Sequence, residues 1–253
     1  MSLHRLLTDS IDRARPGERL TIEGEEALHA ARARRAREGE PVVLHDGQGR
    51  TAGGTIAAIA KRGRADHWAL DVMIDRIEIH PSPTPRLEVL AAAPKGDRLE
   101  AMVDALSQVG AASWSPLRCE RGVVDPGEGK FERSRRVARE SLKQCGRAWL
   151  MEILPHAEID ALVPSPGVHL IVAHAGAPRY TPTPDGTVRL IVGPEGGLTD
   201  DEIRTLKDRG AALASFGPNV MRIETAAVAA AAIILDALGR AASTGHAPHY
   251  HPR

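Results

Sequence analysis

Two glycine-rich stretches have residue types that could support chemistry. Gly193-Pro194-Glu195-Gly196-Gly197 follows the apolar run Val188–Val192, which reads as a buried strand. Open α/β sheets hold ligands at such carboxyl ends. Successive glycines let a ligand come close to backbone N–H and C=O groups. Thr199-Asp200-Asp201-Glu202 then has the pattern of a capping box opening a helix, which Gly210 would close. Phe216-Gly217-Pro218-Asn219-Val220-Met221-Arg222-Ile223-Glu224 repeats the arrangement, a strand ending in a Gly-Pro loop before an alanine-rich helix. Taken alone, either stretch also fits a plain tight turn, and Arg222 with Glu224 fits a structural ion pair.

Basic residues form a third group. Lys95-Gly96-Asp97-Arg98-Leu99-Glu100 follows an apolar strand, and Arg118 to Arg147 holds nine basic and five acidic residues, net +4. Such a run is a solvated helix face or a surface that contacts phosphates. Other motifs fall away. Gly47-Gln48-Gly49-Arg50-Thr51-Ala52 imitates a dinucleotide fingerprint, but Gly53-Gly54 and a β-like run follow where a helix is required. There is no P-loop, no GxSxG elbow and no HExxH. His246, His249 and His251 read as part of a loose terminal tail, so no metal site is expected.

The elements that must position these groups divide the chain. His80-Pro81-Ser82-Pro83-Thr84-Pro85 cannot form helix or central strand, so residues 80–86 read as a stiff linker. Residues 1–79 look mostly β: Arg19–Ile22, Pro41–His45, Thr51–Ala60 and His67–Ile79 as strands, with a helix over Glu25–Glu38. A small barrel of short strands is the natural arrangement. Residues 87–240 alternate strand and helix. Strands are expected at Leu87–Ala93, Ala112–Leu117, Val168–Ala173, Val188–Val192 and Ala211–Phe216. Helices are expected at Asp97–Val109, Lys130–Cys145, Thr199–Arg209 and Glu224–Leu238. That alternation means a parallel, doubly wound α/β sheet. Residues 241–253 read as a frayed tail.

Composition excludes several classes. The 253 residues carry 33 Lys+Arg against 33 Asp+Glu, so a nucleic-acid site must be a local patch. Seven aromatic residues give no wide stacking platform. The longest apolar run, Ala226–Leu235, is too short to span a bilayer, and Met1–Asp9 lacks a signal-peptide pattern. Cys119 and Cys145 form no metal or disulfide framework, which suits a reducing cytoplasm.

Together these segments resemble the 16S rRNA (uracil-N3)-methyltransferase family of the SPOUT superfamily, over nearly the whole chain. The resemblance rests on Lys95–Glu100, Glu120-Arg121, Gln144-Cys145-Gly146-Arg147, Gly193–Leu198 and Met221–Ala226, and on His29, Arg32, Arg35, Gly39 and Asp46–Gly49. It implies a PUA-like RNA-binding barrel followed by a SPOUT domain with a C-terminal trefoil knot. It also implies a homodimer through the knot region and no membrane. The implied cofactor is S-adenosylmethionine, wrapped by Val172–Gly176, Val192–Gly197 and Phe216–Ile223. The residues implied at it are Val172, Ala173, His174, Val192, Gly193, Pro194, Glu195, Gly196, Gly197, Phe216, Gly217, Val220, Met221 and Arg222. A backbone-lined slot would bar side chains at Gly193, Gly196, Gly197 and Gly217.

The implied reaction moves a methyl group to N3 of a flipped uridine of 16S rRNA within the small subunit. Arg222 would stabilise the uracil anion or hold the nucleotide's phosphate. Glu195 or Glu224 would take the N3 proton or orient Arg222, with orientation preferred. Arg5, Arg32, Arg35, Lys95, Arg98, Arg121 and Arg147 would contact RNA. The chain departs from the family pattern at Asn219, usually arginine, at Ala105 and Gln108, usually Lys and Glu, and at Met151, commonly proline. Three alternatives stay open: a binding-only ribosome-assembly protein on the same fold, action on another RNA nucleotide, or a different α/β enzyme using Gly193–Gly197 as a phosphate loop.

Overall fold

The computed structural model describes residues 3–62, 67–182 and 186–243. Contacts divide the chain into two units, Met1–Ser82 with Arg139–Leu150, and Pro83–Ala138 with Met151–Arg253. Residues 139–150, expected in the second domain, therefore belong with the first.

The first unit is a five-stranded sheet of order β1-β3-β4-β5-β2, made of β1 (His4–Leu7), β2 (Arg19–Glu23), β3 (Pro41–His45), β4 (Arg50–Lys61) and β5 (Trp68–Ile79). β1 runs parallel to β3, and the other neighbours are antiparallel. β4 and β5 are twelve residues each, their ends within one residue of the expected Thr51–Ala60 and His67–Ile79, and register shifts at Gly53/Gly54 and Ile56/Ala58 mark irregularities in their pairing. Alternating Leu20 and Ile22 join Leu6, Leu44, Ile56, Leu70, Val72 and Ile74 in one core. Helix α1 covers only Glu25–Arg32. Arg35 adopts a left-handed φ of 50°, and the Ala36 N–H donates to the Ala30 carbonyl at 3.0 Å. The helix itself closes at Ala33, whose N–H and that of Arg34 donate to the His29 carbonyl at 3.0 and 3.1 Å, so Arg34, Arg35 and Arg37 lie beyond the helix that was expected to carry them.

Lys143 and His45 are among the polar residues buried in this unit. Lys143 is 3% exposed and donates to Glu26 at 2.7 Å, with Glu140 at 2.8 Å, so it is no part of a solvated basic face. His45 is 1% exposed, with the Arg147 backbone beside it. Burial, aided by Arg5, pushes its pKa down to about 4. The imidazole stays neutral in the fold while the unfolded chain takes up a proton near pH 6.5, so this contribution is full above that pH and is lost as pH falls toward 4. The shift corresponds to about 3 kcal/mol. We expect urea unfolding at pH 5 to show a lower midpoint than at pH 7, with much of the difference gone in His45→Gln. An equal pH dependence in the variant would reject this assignment.

The second unit is a seven-stranded sheet in which every pairing is parallel. Its strands are β6 (Arg86–Ala91), β7 (Ser113–Arg118), β8 (Glu152–Ile153), β9 (Ala157–Glu158), β10 (Val168–Ala173), β11 (Thr187–Val192) and β12 (Ala212–Ala214). The order is β12-β10-β11-β6-β7-β8, with β9 also on β7. Runs such as Val-Arg-Leu-Ile-Val give the near-continuous burial of parallel strands. The helices are α2 (Arg98–Val109), α3 (Glu128–Cys145, which continues into the first unit), α4 (Asp200–Asp208) and α5 (Ile223–Ser243). α2 buries Leu99, Met102, Val103 and Leu106. α5 packs on α2, β6 and β11 and buries Ala227, Ala230, Ala231, Ile234 and Leu238. α5 also runs three residues into the expected tail, while residues 244–253, with the histidine cluster, lie outside the described residues.

The register Val192↔Ala91 and Ala173↔Ala214 brings the carboxyl ends of β10, β11 and β12 to one edge of the sheet. The capping box at Thr199 is formed in full, its hydroxyl accepting from the Glu202 N–H at 3.3 Å and Glu202 accepting from the Thr199 N–H at 2.7 Å. It fixes where the loop after β11 turns into α4.

Candidate active site

Three loops at that edge enclose a cavity of about 290 Å³. The first supplies Val172, Ala173, His174 and Ala175. The second supplies Val192, Gly193, Pro194, Glu195, Gly196, Gly197 and Leu198. The third supplies Phe216, Gly217, Asn219, Val220 and Met221, and α5 adds Ile223 and Ala226. Every residue expected at the cofactor is here except Arg222. Arg222 is exposed, and its carbonyl accepts from the Ala226 N–H at 2.8 Å. Ala175, Asn219 and Ile223 fall within the three loops expected to wrap the cofactor, whereas Leu198 and Ala226 lie just beyond them and were not anticipated.

The walls are held from behind. Tyr180 stacks on Phe216 with ring centroids 5.3 Å apart. The His174 Nδ1 accepts from the Gly176 N–H at 3.2 Å, turning that side chain back on its own loop. A Cβ built on Gly193 would lie 3.0 Å from Leu198 Cγ and 3.2 Å from its backbone nitrogen. Gly197 has φ +70° but open space around it, whereas Gly196 and Gly217 would meet only ordinary contacts at 3.4 and 3.6 Å. The expected bar on side chains therefore holds sterically at Gly193, conformationally at Gly197, and not from the surrounding protein at the other two.

The charged residues pair differently from expectation. Glu195 and Glu224 both reach Arg98, which comes within 3.5 Å of each through the same Nη1 atom. They do not hold Arg222. Arg98 is thus engaged by two carboxylates, and its Nε donates to the Lys95 carbonyl at 3.3 Å. Glu224 is 18% exposed, and its Oε2 is buried with no hydrogen-bond partner among the described residues. Arg121 donates to the Gly196 carbonyl at 2.8 Å, so it braces the glycine loop. Both arginines were expected at RNA phosphates. Glu195, Glu224 and Gly196, which they reach here, lie 75 to 126 residues away in sequence.

Of the other basic candidates, Lys95 is exposed in the second unit, and Arg32 and Arg35 are exposed in the first. Arg5 donates to the Gln144 carbonyl at 3.5 Å, and Arg147 is half-buried, burial lowering its pKa. Among the departures, Asn219 lines the cavity and Met151 is fully buried. Gln108 donates to Asp104 at 2.9 Å. Burial, then Glu202, raises the Cys119 thiol to about 11 and makes it a poor nucleophile. No group of three or more His, Cys, Asp or Glu among the described residues could hold a metal ion. No helix there is long and apolar enough to cross a membrane.

Chemically, the cavity offers apolar side chains, backbone polar groups along Gly193–Gly197, and the carboxylate of Glu195. Its volume is near the lower end of small-molecule sites, roughly 300–1,000 Å³. That combination suits a flat heterocycle attached to a cationic group.

A family model described as an RNA methyltransferase domain matches residues 80–235. Ribosomal RNA small subunit methyltransferase E of Mycobacterium bovis is 32% identical over 235 residues, covering 86% of this chain and 85% of the relative. The Bacillus subtilis protein of the same name is 26% identical over 223 residues, covering 81% and 85%. A solved methyltransferase of Legionella pneumophila, in complex with bound SAM, has a TM-score of 0.78 and 26% identity, covering 94% of this chain and 98% of that one. Ribosomal RNA small subunit methyltransferase E of Neisseria gonorrhoeae shares the fold, with a TM-score of 0.78 at 20% identity over 93% and 98% of the chains.

Proposed function

The chain belongs to the ribosomal RNA small subunit methyltransferase E family, and on that premise we propose that it methylates N3 of one uridine of 16S rRNA within the assembled small subunit. It is an S-adenosylmethionine-dependent rRNA methyltransferase. The observation that carries the reading is the cavity of three strand-end loops with Glu195 on its wall and Glu224 tied to it through Arg98.

S-adenosylmethionine fits the residues present: apolar walls and glycine backbone for adenine, a carboxylate for the sulfonium. Bound there, it supplies an already activated methyl group, so the chain need not build a nucleophile. What remains for the protein is position and one proton. Gly193 keeps the floor of the slot free of side chain. Glu195 balances positive charge at the wall. Holding donor and acceptor in line is worth roughly 7–11 kcal/mol. The uridine N3 carries a proton at neutral pH, and we assign its acceptor to the unpartnered Oε2 of Glu224, a base contributing about 10²–10⁴-fold. Arg222, exposed and outside the cavity, stabilises the uracil anion or holds the flipped nucleotide's phosphate.

The same proposal includes closure of the N-terminal sheet as a PUA-like barrel, with Arg5, Arg32, Arg35 and Arg147 toward RNA, and Lys95 doing so from the second unit. It includes threading of the C-terminal chain as a trefoil knot, a homodimer through that region, and action in the cytoplasm. The test is methyl transfer from labelled S-adenosylmethionine to small subunits lacking the modification, followed by nucleoside mass spectrometry. A new 3-methyluridine is expected. A different methylated nucleoside moves the target, and tight cofactor binding without transfer overturns the catalytic reading in favour of a binding-only role.

A further inference from the structure

A smaller cavity, of about 120 Å³, is lined by Gly96, Asp97 and Glu100 at the start of α2 and by Lys130, Arg133 and Ser134 in the first turns of α3. α2 has twelve residues, and its N-cap Asp97 makes no side-chain capping bond. Its first-turn amides therefore present the positive end of the helix uncapped by a side chain. Ser134 is 1% exposed, yet its hydroxyl has no hydrogen-bond partner among the described residues. A buried hydroxyl is ordinarily satisfied, and here the cavity it lines is where a partner would come from. Lys130 sits four residues earlier on the same helix face. Arg133 takes up the charge of Glu100 at 3.0 Å, which leaves Asp97 as the opposing carboxylate of the lining.

The donors are a helix end, an ammonium and a hydroxyl, around room for about four water-sized groups. That is the size and polarity of one tetrahedral anion. Arg98, in the same first turn of α2, reaches Glu195 and Glu224, so the cavity flanks the methyl-transfer site. We propose that this pocket holds one phosphate group of the substrate RNA backbone beside the target nucleotide. The proposal rests on the rRNA-methyltransferase reading and adds to it a built phosphate subsite.

The test measures affinity for small ribosomal subunits across a salt series, apart from methyl transfer, so that a failure of the catalytic reading is seen separately. Lys130→Gln is expected to weaken binding about tenfold and to make the slope of log affinity against log salt shallower by about one. Ser134→Ala is neutral and buried, so long-range charge cannot explain an effect; a several-fold loss with unchanged slope is expected. Asp97→Asn is expected to tighten binding. Wild-type affinity in Ser134→Ala, with unchanged unfolding temperature, would overturn the pocket even if Lys130→Gln weakened binding, because that pattern is plain helix-face charge. Weaker binding by Asp97→Asn would mean a cation site and overturn it too. Inorganic phosphate that stabilises the wild type but not Lys130→Gln, with subunit affinity equal in both, would assign the pocket to free phosphate and overturn the RNA assignment.

Discussion

Gly193→Ala is expected to raise the dissociation constant for S-adenosylmethionine by about 10–100-fold, the range set by forcing an extra methyl into a packed site. The added Cβ would stand 3.0 and 3.2 Å from Leu198 side-chain atoms and 3.2 Å from the Leu198 nitrogen. Leu198 cannot withdraw freely, because it packs against the core cluster that includes Leu90, Ile191 and Leu206. The loop itself must shift, and with it the carbonyls and amides that line the slot. Gly197→Ala meets no atom within 4 Å but must hold φ +70°, which costs about 1–2 kcal/mol for a residue with a Cβ. Gly196→Ala and Gly217→Ala meet only ordinary contacts and should stay within about threefold of wild type on packing grounds alone. Calorimetric titration of the four variants, with thermal unfolding as a check on folding, reads this order directly. Equal losses at all four would show that the cofactor's own approach to the backbone sets the requirement, and wild-type affinity in Gly193→Ala would remove the packing argument.

That order also shows what the sequence could and could not display. The strand-end loops were legible because their signals are local. Apolar runs such as Val188–Val192 end in glycine, and the Thr199–Glu202 box dates the next helix to within a residue. The distinction among the four glycines was not legible, since it depends on Leu198, Arg121 and Met221 approaching from elsewhere. The boundary inside α3 was equally hidden. The helix runs from Glu128 to Cys145 as one basic element, while Lys143 in its last turns is buried against Glu26, 117 residues away. α1 ended early for a backbone reason, an arginine in the left-handed region, that its charged composition gave no cause to expect. The protein partners of Arg98 and Arg121 were not legible for one shared reason: basic residues in a positive stretch advertise charge, not its destination.

Arg98→Ala is expected to slow single-turnover methyl transfer by about 10²-fold while leaving small-subunit affinity and its salt dependence close to wild type. One guanidinium nitrogen lies 3.5 Å from both Glu195 and Glu224, and so joins the glycine loop after β11 to the first turn of α5. Removing it frees both walls of the cavity to move by the small distances that in-line transfer does not tolerate. Arg98→Lys should recover part of the rate, because a single nitrogen serves both carboxylates and an ammonium at that place carries the same charge. Double variants separate the carboxylates' roles. If Glu195 acts only through Arg98, Arg98→Ala with Glu195→Gln should be no slower than Arg98→Ala alone. If Glu224 also receives the N3 proton through its free oxygen, adding Glu224→Gln should cost a further step. The contrary outcome is equally plain. A rate near wild type, with weaker subunit binding and a shallower salt slope, would return Arg98 to the RNA backbone and make the carboxylate pair a resting arrangement that substrate displaces.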